Sequence, residues 1–337
     1  MIDTFKPKLD LPTKANFKTT LPLLGGADLS FWLALAAKSE ERLIVVIANH
    51  QNELNQLDTE LSFFGIDAHV FPDWEILAYD QLSVHQDIIS ERIALLTRMP
   101  TTGVLLVSTQ TLMQRIAPPS WLIGQHFDLA VGDKFDIHEQ RLRLTKAGYV
   151  QTENVFEPGE FAVRGSIVDI FAVGQSLPFR LDLFDDNIET IKFFDPDSQR
   201  TLSDNDLAQL KKDAQAGMNT HHAQKLPSSA KITEFRLLPA REFPLEEGKE
   251  MFRQNFASLF PNASARKIEF YNDVMAAIAP QGIEFYAPLF FELDAWMKTG
   301  NLFSYLPDDT LVVSHDNLSA CHDEYYQQIQ ARHHSRA

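Results

Sequence analysis

A glycine pair leading into an apolar helix, in Leu23-Leu24-Gly25-Gly26-Ala27-Asp28-Leu29-Ser30-Phe31-Trp32, is the place where this chain would cradle a nucleotide phosphate. Such a loop needs a second glycine for close backbone approach, a lysine to reach the phosphates and a hydroxyl for magnesium. Counted from Gly25, those places hold Ser30, Phe31 and Trp32, and the next lysine is Lys38. The segment therefore reads as a turn and helix cap with Asp28, not as a nucleotide site. The histidine pairs His221-His222 and His333-His334 are adjacent, whereas two metal ligands on one helix face need i, i+4 spacing and further donors. Asp185-Asp186 are adjacent at a turn tip, where side chains diverge into solvent, which argues against paired acid and base work. No Ser, His and Asp arrangement and no nucleophile motif emerges from the spacing. The sequence predicts no catalytic, cofactor-binding or metal-binding residue.

Recognition chemistry is better represented. From Phe179 to Phe184 the residues alternate as a half-buried strand does, with Phe179, Leu181 and Leu183 on one face and Arg180, Asp182 and Phe184 on the other. Packing accounts for the first face. An aromatic beside an arginine on the second has the composition of a protein-binding hot spot. The plainer alternatives are a cross-strand ion pair from Arg180 to Asp182 or Asp186, and Phe184 packed beneath the polar segment Ser203 to Ser229.

The elements that must position this strand follow from hydrophobic period. Leu43 to Ala48 (LIVVIA) and Val104 to Val107 (VLLV) read as strands buried on both faces, with a helix carrying Leu54, Leu57 and Leu61 between them, Gly65 as its stop and a short strand near His69 to Phe71. Ile88 to Leu96 reads as a helix with Asp87 as its N-cap, and Thr111 to Ile116 as another that Pro118-Pro119 ends. From Phe127 strands dominate. One short helix spans Ile137 to Ala147 before Gly148, and turns fall at Val173 to Ser176 and Asp185 to Asn187. Ser203 to Ser229, with Lys211-Lys212, reads as a polar, mobile surface excursion. Lys249 to Leu259 is helical, Gly282 to Phe291 is rich in aromatics, Thr310 to Val313 is a strand and Asp316 to Gln330 a charged helix with no closing element after it, as at a cut in a longer protein. The expected fold class is α/β in three parts: residues 1–126 an open, mostly parallel sheet, 127–240 an inserted β-rich domain, and 241–337 a C-terminal α/β portion packed back on the first.

Composition limits the function classes. At 337 residues with 45% hydrophobic residues the chain can bury more than one core. A formal charge of −16 opposes stand-alone nucleic-acid binding, since phosphate contacts would need a local basic patch against a repulsive background. No apolar run approaches the roughly 20 residues of a membrane span, and MIDTFKPKLDL lacks the core of a signal peptide. The lone Cys321, read as an incidental residue of the last helix, agrees with a reducing cytoplasm.

Several motifs in fixed order carry a resemblance. Asp73-Trp74-Glu75, Tyr79-Asp80, HQDIISERI (85–93), EPGEFAVRGSIVDIF, RLDLFDDNIETIKFFDPDSQR, LLPAREFP (237–244) and GIEFYAPLFF together resemble the N-terminal module of the bacterial transcription-repair coupling factors, the Mfd family, from about Leu21 to Asp316. That module is similar to the damage-recognition helicase subunit UvrB, with a degenerate helicase-like P-loop domain that has lost its nucleotide site. The resemblance implies a non-catalytic adaptor whose β-rich domain recruits UvrA to stalled transcription in nucleotide excision repair. In the full family member later domains bind RNA polymerase, translocate on DNA with ATP, and cover this surface in the resting state. Carried over by position, the UvrA-binding residues are Arg164 in AVRG and Arg180 and Phe184 in RLDLF, with Asp182 and Asp186 as additional candidates. Ser203 to Ser229 is longer than the family's linker and could shield that surface or be inert. The rival reading is a UvrB-like ATP-dependent DNA helicase subunit, and a third is direct DNA binding.

Overall fold

The computed structural model describes residues 11–12, 18–20, 27–80, 82–216, 226–264, 268–315 and 317–336. Its strands are β1 (Leu43–Ala48), β2 (His69–Val70), β3 (Gly103–Ser108), β4 (Phe127–Ala130), β5 (Val150–Gln151), β6 (Glu160–Arg164), β7 (Ile167–Ile170), β8 (Phe179–Phe184), β9 (Asn187–Phe193), β10 (Lys231–Ile232), β11 (Glu234–Leu237) and β12 (Leu311–Ser314). The chain divides into two compact units, one of Met1–Asp80, Arg98–Arg115 and Asn301–Ala337, the other of Gln81–Thr97 and Ile116–Gly300.

The first unit is built on a parallel sheet in the order β12-β1-β3-β2. Every residue of β1 is buried, as a continuous β-branched run requires. Helices Ala27–Ser39 and Gln51–Phe63 lay Leu33, Ala34, Leu54, Leu57 and Leu61 on Ile44, Val46, Val104 and Leu106. Gly65 ends the second of these at φ +77, a conformation that a side chain would strain. The last region returns to this sheet: β12 pairs with β1, and in helix Leu318–Arg336 the Arg332 guanidinium donates to Asp80 and to the Ala78 carbonyl. Cys321 is buried there against the Asn49 side chain. His333 is helical, its ring 5.6 Å from that of Tyr79. Gly25, Gly26, His221, His222 and Asp316 lie outside the described residues.

The second unit centres on a six-stranded sheet, β10-β9-β8-β7-β6-β5, antiparallel except for the β5 and β6 pair. One face is a continuous apolar layer of Phe161, Val168, Ile170, Phe179, Leu181, Leu183, Ile188, Ile191 and Phe193, all buried. Phe235 of β11 packs on it, its ring 4.3 Å from that of Phe179. Helix Gln86–Thr97 joins this unit through the turn after β7, where the Gly174 N–H donates to Ser90 Oγ at 2.8 Å. Gly174 has φ +81, and a Cβ there would sit 2.8 Å from that of Ala94, so the close approach depends on glycine.

Local chemistry explains where elements depart from the sequence reading. His85, not Asp87, precedes the helix: its carbonyl accepts from Ile88 and Ile89, and Asp87 lies in the first turn. Pro118-Pro119 starts a short helix, Pro119–Leu122, because proline at the first helical position gives up an N–H that has no partner there. The Ser203 to Ser229 segment has regular structure over its first half. Asp204–Ala216 is a helix, and Ser203 and Asp206 cap it reciprocally, the Ser203 N–H and hydroxyl donating to Asp206 at 2.8 and 2.6 Å. No helix among the described residues is long and apolar enough to cross a membrane.

Three of the motif segments meet in a buried ionic cluster within the second unit. Arg92, wholly buried, donates from Nε to Glu242 at 2.7 Å, and Arg241 and Glu284 lie within electrostatic reach of one another. Burial pushes the Glu284 carboxyl from its ordinary 4.5 up to about 7; the Glu242 charge acts the same way, and backbone hydrogen bonds and Arg241 oppose both. The folded state thus holds this proton more tightly than the unfolded chain, so the contribution to stability is complete below pH 4.5 and is lost as the pH rises through about 7. Glu284→Gln should abolish that slope. In denaturant unfolding its stability should exceed that of the parent by about 2 kcal/mol at pH 8 and converge with it at acidic pH.

Candidate partner-binding site

Strand β8 alternates as its sequence requires, with Phe179, Leu181 and Leu183 buried and Arg180, Asp182 and Phe184 on the opposite face. The alternation survives a bulge because the extra residue, Glu189, is on β9: Asp182 pairs with Thr190 but Leu183 with Ile188. Pairing carries the same face across the sheet. Asp182 lies opposite Ile167 of β7, which lies opposite Arg164 of β6, and Arg180 lies opposite Asp169. Arg164, Arg180 and Phe184 therefore share one face, with Arg164 two strands, about 10 Å, from β8.

The three side chains differ in what they offer a partner. Phe184 is 67% exposed at the end of a tight hairpin, so it is not packed beneath the described residues of the Ser203 to Ser229 segment. Its position is braced: Asp185 takes the left-handed conformation, φ +53, and residues 132–135 pair with the hairpin, Phe135 N–H donating to the Asp186 carbonyl at 2.6 Å. Arg164 is 40% exposed. Arg180 is only 15% exposed, and its ion pair is with neither Asp182 nor Asp186. Its Nε and Nη2 fork onto the two oxygens of Asp169 at 2.7 and 2.9 Å, and its plane lies 4.6 Å from the centre of the buried Phe194 ring. Hydrogen bonding to Asp169 raises the Arg180 guanidinium further above its ordinary range, so it stays cationic.

Asp169 is the centre that sequence reasoning missed. It is completely buried, and Arg164 Nη2 donates to the same Oδ2 that Arg180 uses. The remaining donors hold two loops over the sheet. Arg164 Nη1 donates to the Glu153 carbonyl at 3.2 Å and to Asn154 Oδ1 at 2.8 Å, and Arg180 Nη1 donates to the Gln199 carbonyl at 3.1 Å. Gln199, at φ +58, returns from Nε2 to the Val155 carbonyl at 3.0 Å and closes the ring of bonds. Beneath it Val155, Ala162, Phe171 and Phe194 form a small apolar cluster. The same loop exposes Phe156, 52% accessible, whose N–H donates to Glu160 at 2.7 Å. A carboxylate in the run IVDI, placed by alternation on the face of Arg180, is the signal that could have revealed the hub.

Asp182 and Asp186 contribute less. Asp182 accepts from Thr190 Oγ1 at 2.8 Å and lies 3.7 Å from Lys192 Nζ, so its charge is already partnered. Asp186 is exposed and serves the hairpin through its backbone carbonyl. Among the described residues no group of His, Cys, Asp and Glu is arranged to hold a metal ion. In the helix that follows the glycine pair, Ser30 is buried with its hydroxyl donated to Glu60, and Phe31 packs edge-on against Phe64 with centroids 5.5 Å apart.

These environments separate folding from recognition. Arg180→Ala should lower stability by about 3 kcal/mol in denaturant unfolding, because it leaves the buried Asp169 carboxylate short of its bidentate partner. Phe184→Ala should change stability by less than about 0.5 kcal/mol, as an exposed side chain does.

Residues 127–214 match the family model of the UvrB interaction domain, a span that contains all three candidate residues. Over 98% of its length the chain is 36% identical to a transcription-repair-coupling factor of Haemophilus influenzae, and over 97% it is 35% identical to that of Escherichia coli. A more distant relative of the same name, from Bacillus subtilis, is 24% identical over 89% of the chain. The chain spans about a quarter of each relative, 26%, 26% and 24% respectively. Near-complete coverage of this chain at such identity, together with the domain match, shows that it belongs to the transcription-repair-coupling factor family, as a segment that includes the UvrB interaction domain.

Proposed function

We propose that this chain is the adaptor portion of a transcription-repair coupling factor and that its β-rich sheet recruits UvrA to sites of stalled transcription. The observation that carries the proposal is the outward row of Arg164, Arg180 and Phe184 within the matched span 127–214. A braced, exposed aromatic supplies desolvated area, and the guanidinium groups beside it supply positive charge for partner carboxylates. Asp182 and Asp186 flank the row as secondary contacts. In this reading residues 1–126 form a helicase-like domain without a working P-loop, 127–240 the UvrA-binding domain and 241–337 the returning α/β portion. RNA polymerase, DNA and ATP are engaged through other parts of the full-length protein, which also cover this face until it is needed. The chain by itself is not an enzyme and works in the cytoplasm.

The test is a binding titration of UvrA with the chain and its variants. Phe184→Ala and Arg164→Ala should each weaken binding by about 2 kcal/mol, roughly thirtyfold, while remaining folded. Full binding by both folded variants would place the site elsewhere. The UvrB-like helicase reading makes the opposite prediction for nucleotide. Magnesium-ATP should neither shift the melting temperature of the chain nor be hydrolysed, and a clear shift would favour the helicase.

A further inference from the structure

The outward row is held by a group that it does not display. Asp169 has no exposed side-chain surface, yet its two oxygens accept from both arginines of the row. A surface ion pair would leave these long side chains free to exchange rotamers in screening solvent. The buried carboxylate restrains them, because Arg180 is forked onto both of its oxygens and Arg164 donates to one of them, and the acceptor itself has no exposed surface. The same two side chains tie down the Glu153 to Phe156 loop and Gln199, so the loops that border the row depend on this carboxylate as well.

We infer that Asp169 is a positioning residue for partner binding: it fixes the direction in which Arg164 and Arg180 present their outward donors, without touching the partner itself. The inference rests on the proposed UvrA site. Rotamer-rich side chains that must be ordered at the moment of binding weaken it, and Asp169 removes that cost before the partner arrives. Its contribution to binding is therefore coupled to the arginines and independent of Phe184, which is held by the hairpin and residues 132–135.

The experiment is a pair of double-mutant cycles read as UvrA affinity. Asp169→Asn keeps the size and one acceptor oxygen but removes the charge. It should weaken binding about tenfold in the parent and in the Phe184→Ala background, but no more than about threefold in the Arg164→Ala background. A role confined to folding would lower affinity equally in all three. Equal losses, or parent-like affinity of Asp169→Asn, would overturn the inference. Should Asp169→Asn fail to fold, Asp169→Glu retains the charge and displaces the carboxylate by one methylene. A folded Asp169→Glu that binds like the parent overturns the inference, and one that loses affinity with the same dependence on Arg164 supports it. Parent-like binding by Arg164→Ala itself would instead overturn the proposed site.

Discussion

One fully buried carboxylate, bonded to two guanidinium groups, organises the face of the second unit that matters most. Taking Asp169 out of water is unfavourable unless its charge is met and its lone pairs are satisfied. Arg180 meets it with a bidentate fork and Arg164 with a further donor. Each arginine then has donors left over, and those are what hold the 153–156 loop and Gln199 over the sheet. Sheet register, loop conformation and surface shape are coupled through this single oxygen pair.

The consequence is a surface whose arginines are held by internal hydrogen bonds. Arg180 sits over the Phe194 ring and is largely enclosed, whereas Arg164 and Phe184 remain accessible. Within the proposed site, Arg180 directs most of its bonding inward. Alanine substitution at such a residue reports on folding and contact together, so the two are separated only by comparison with Phe184, which is 67% exposed.

The ionic cluster of Arg92, Glu242, Arg241 and Glu284 follows a different logic. Its members come from motif segments far apart in sequence and are united by burial in the second unit. Burial outweighs the nearby Arg241 charge at Glu284, which holds its proton to about pH 7.

Periodicity alone determined much of this molecule. The β-branched run of β1, the leucines of helix Gln51–Phe63, a hairpin turn after Phe184 and the placement of Arg180 and Phe184 on one strand face were all legible, because strand and helix periods dictate which side chains share a face. The short helix begun by Pro119 and the cap at Ser203 and Asp206 were misread, since local hydrogen bonding decides an element's ends and leaves only a weak mark in composition. Only the tertiary structure decided what Arg180 is bonded to. Asp182 and Asp186 are its near neighbours in sequence, but strand pairing sets Asp169 of β7 directly across from it, where burial turns an ordinary ion pair into the fixed point of the surface.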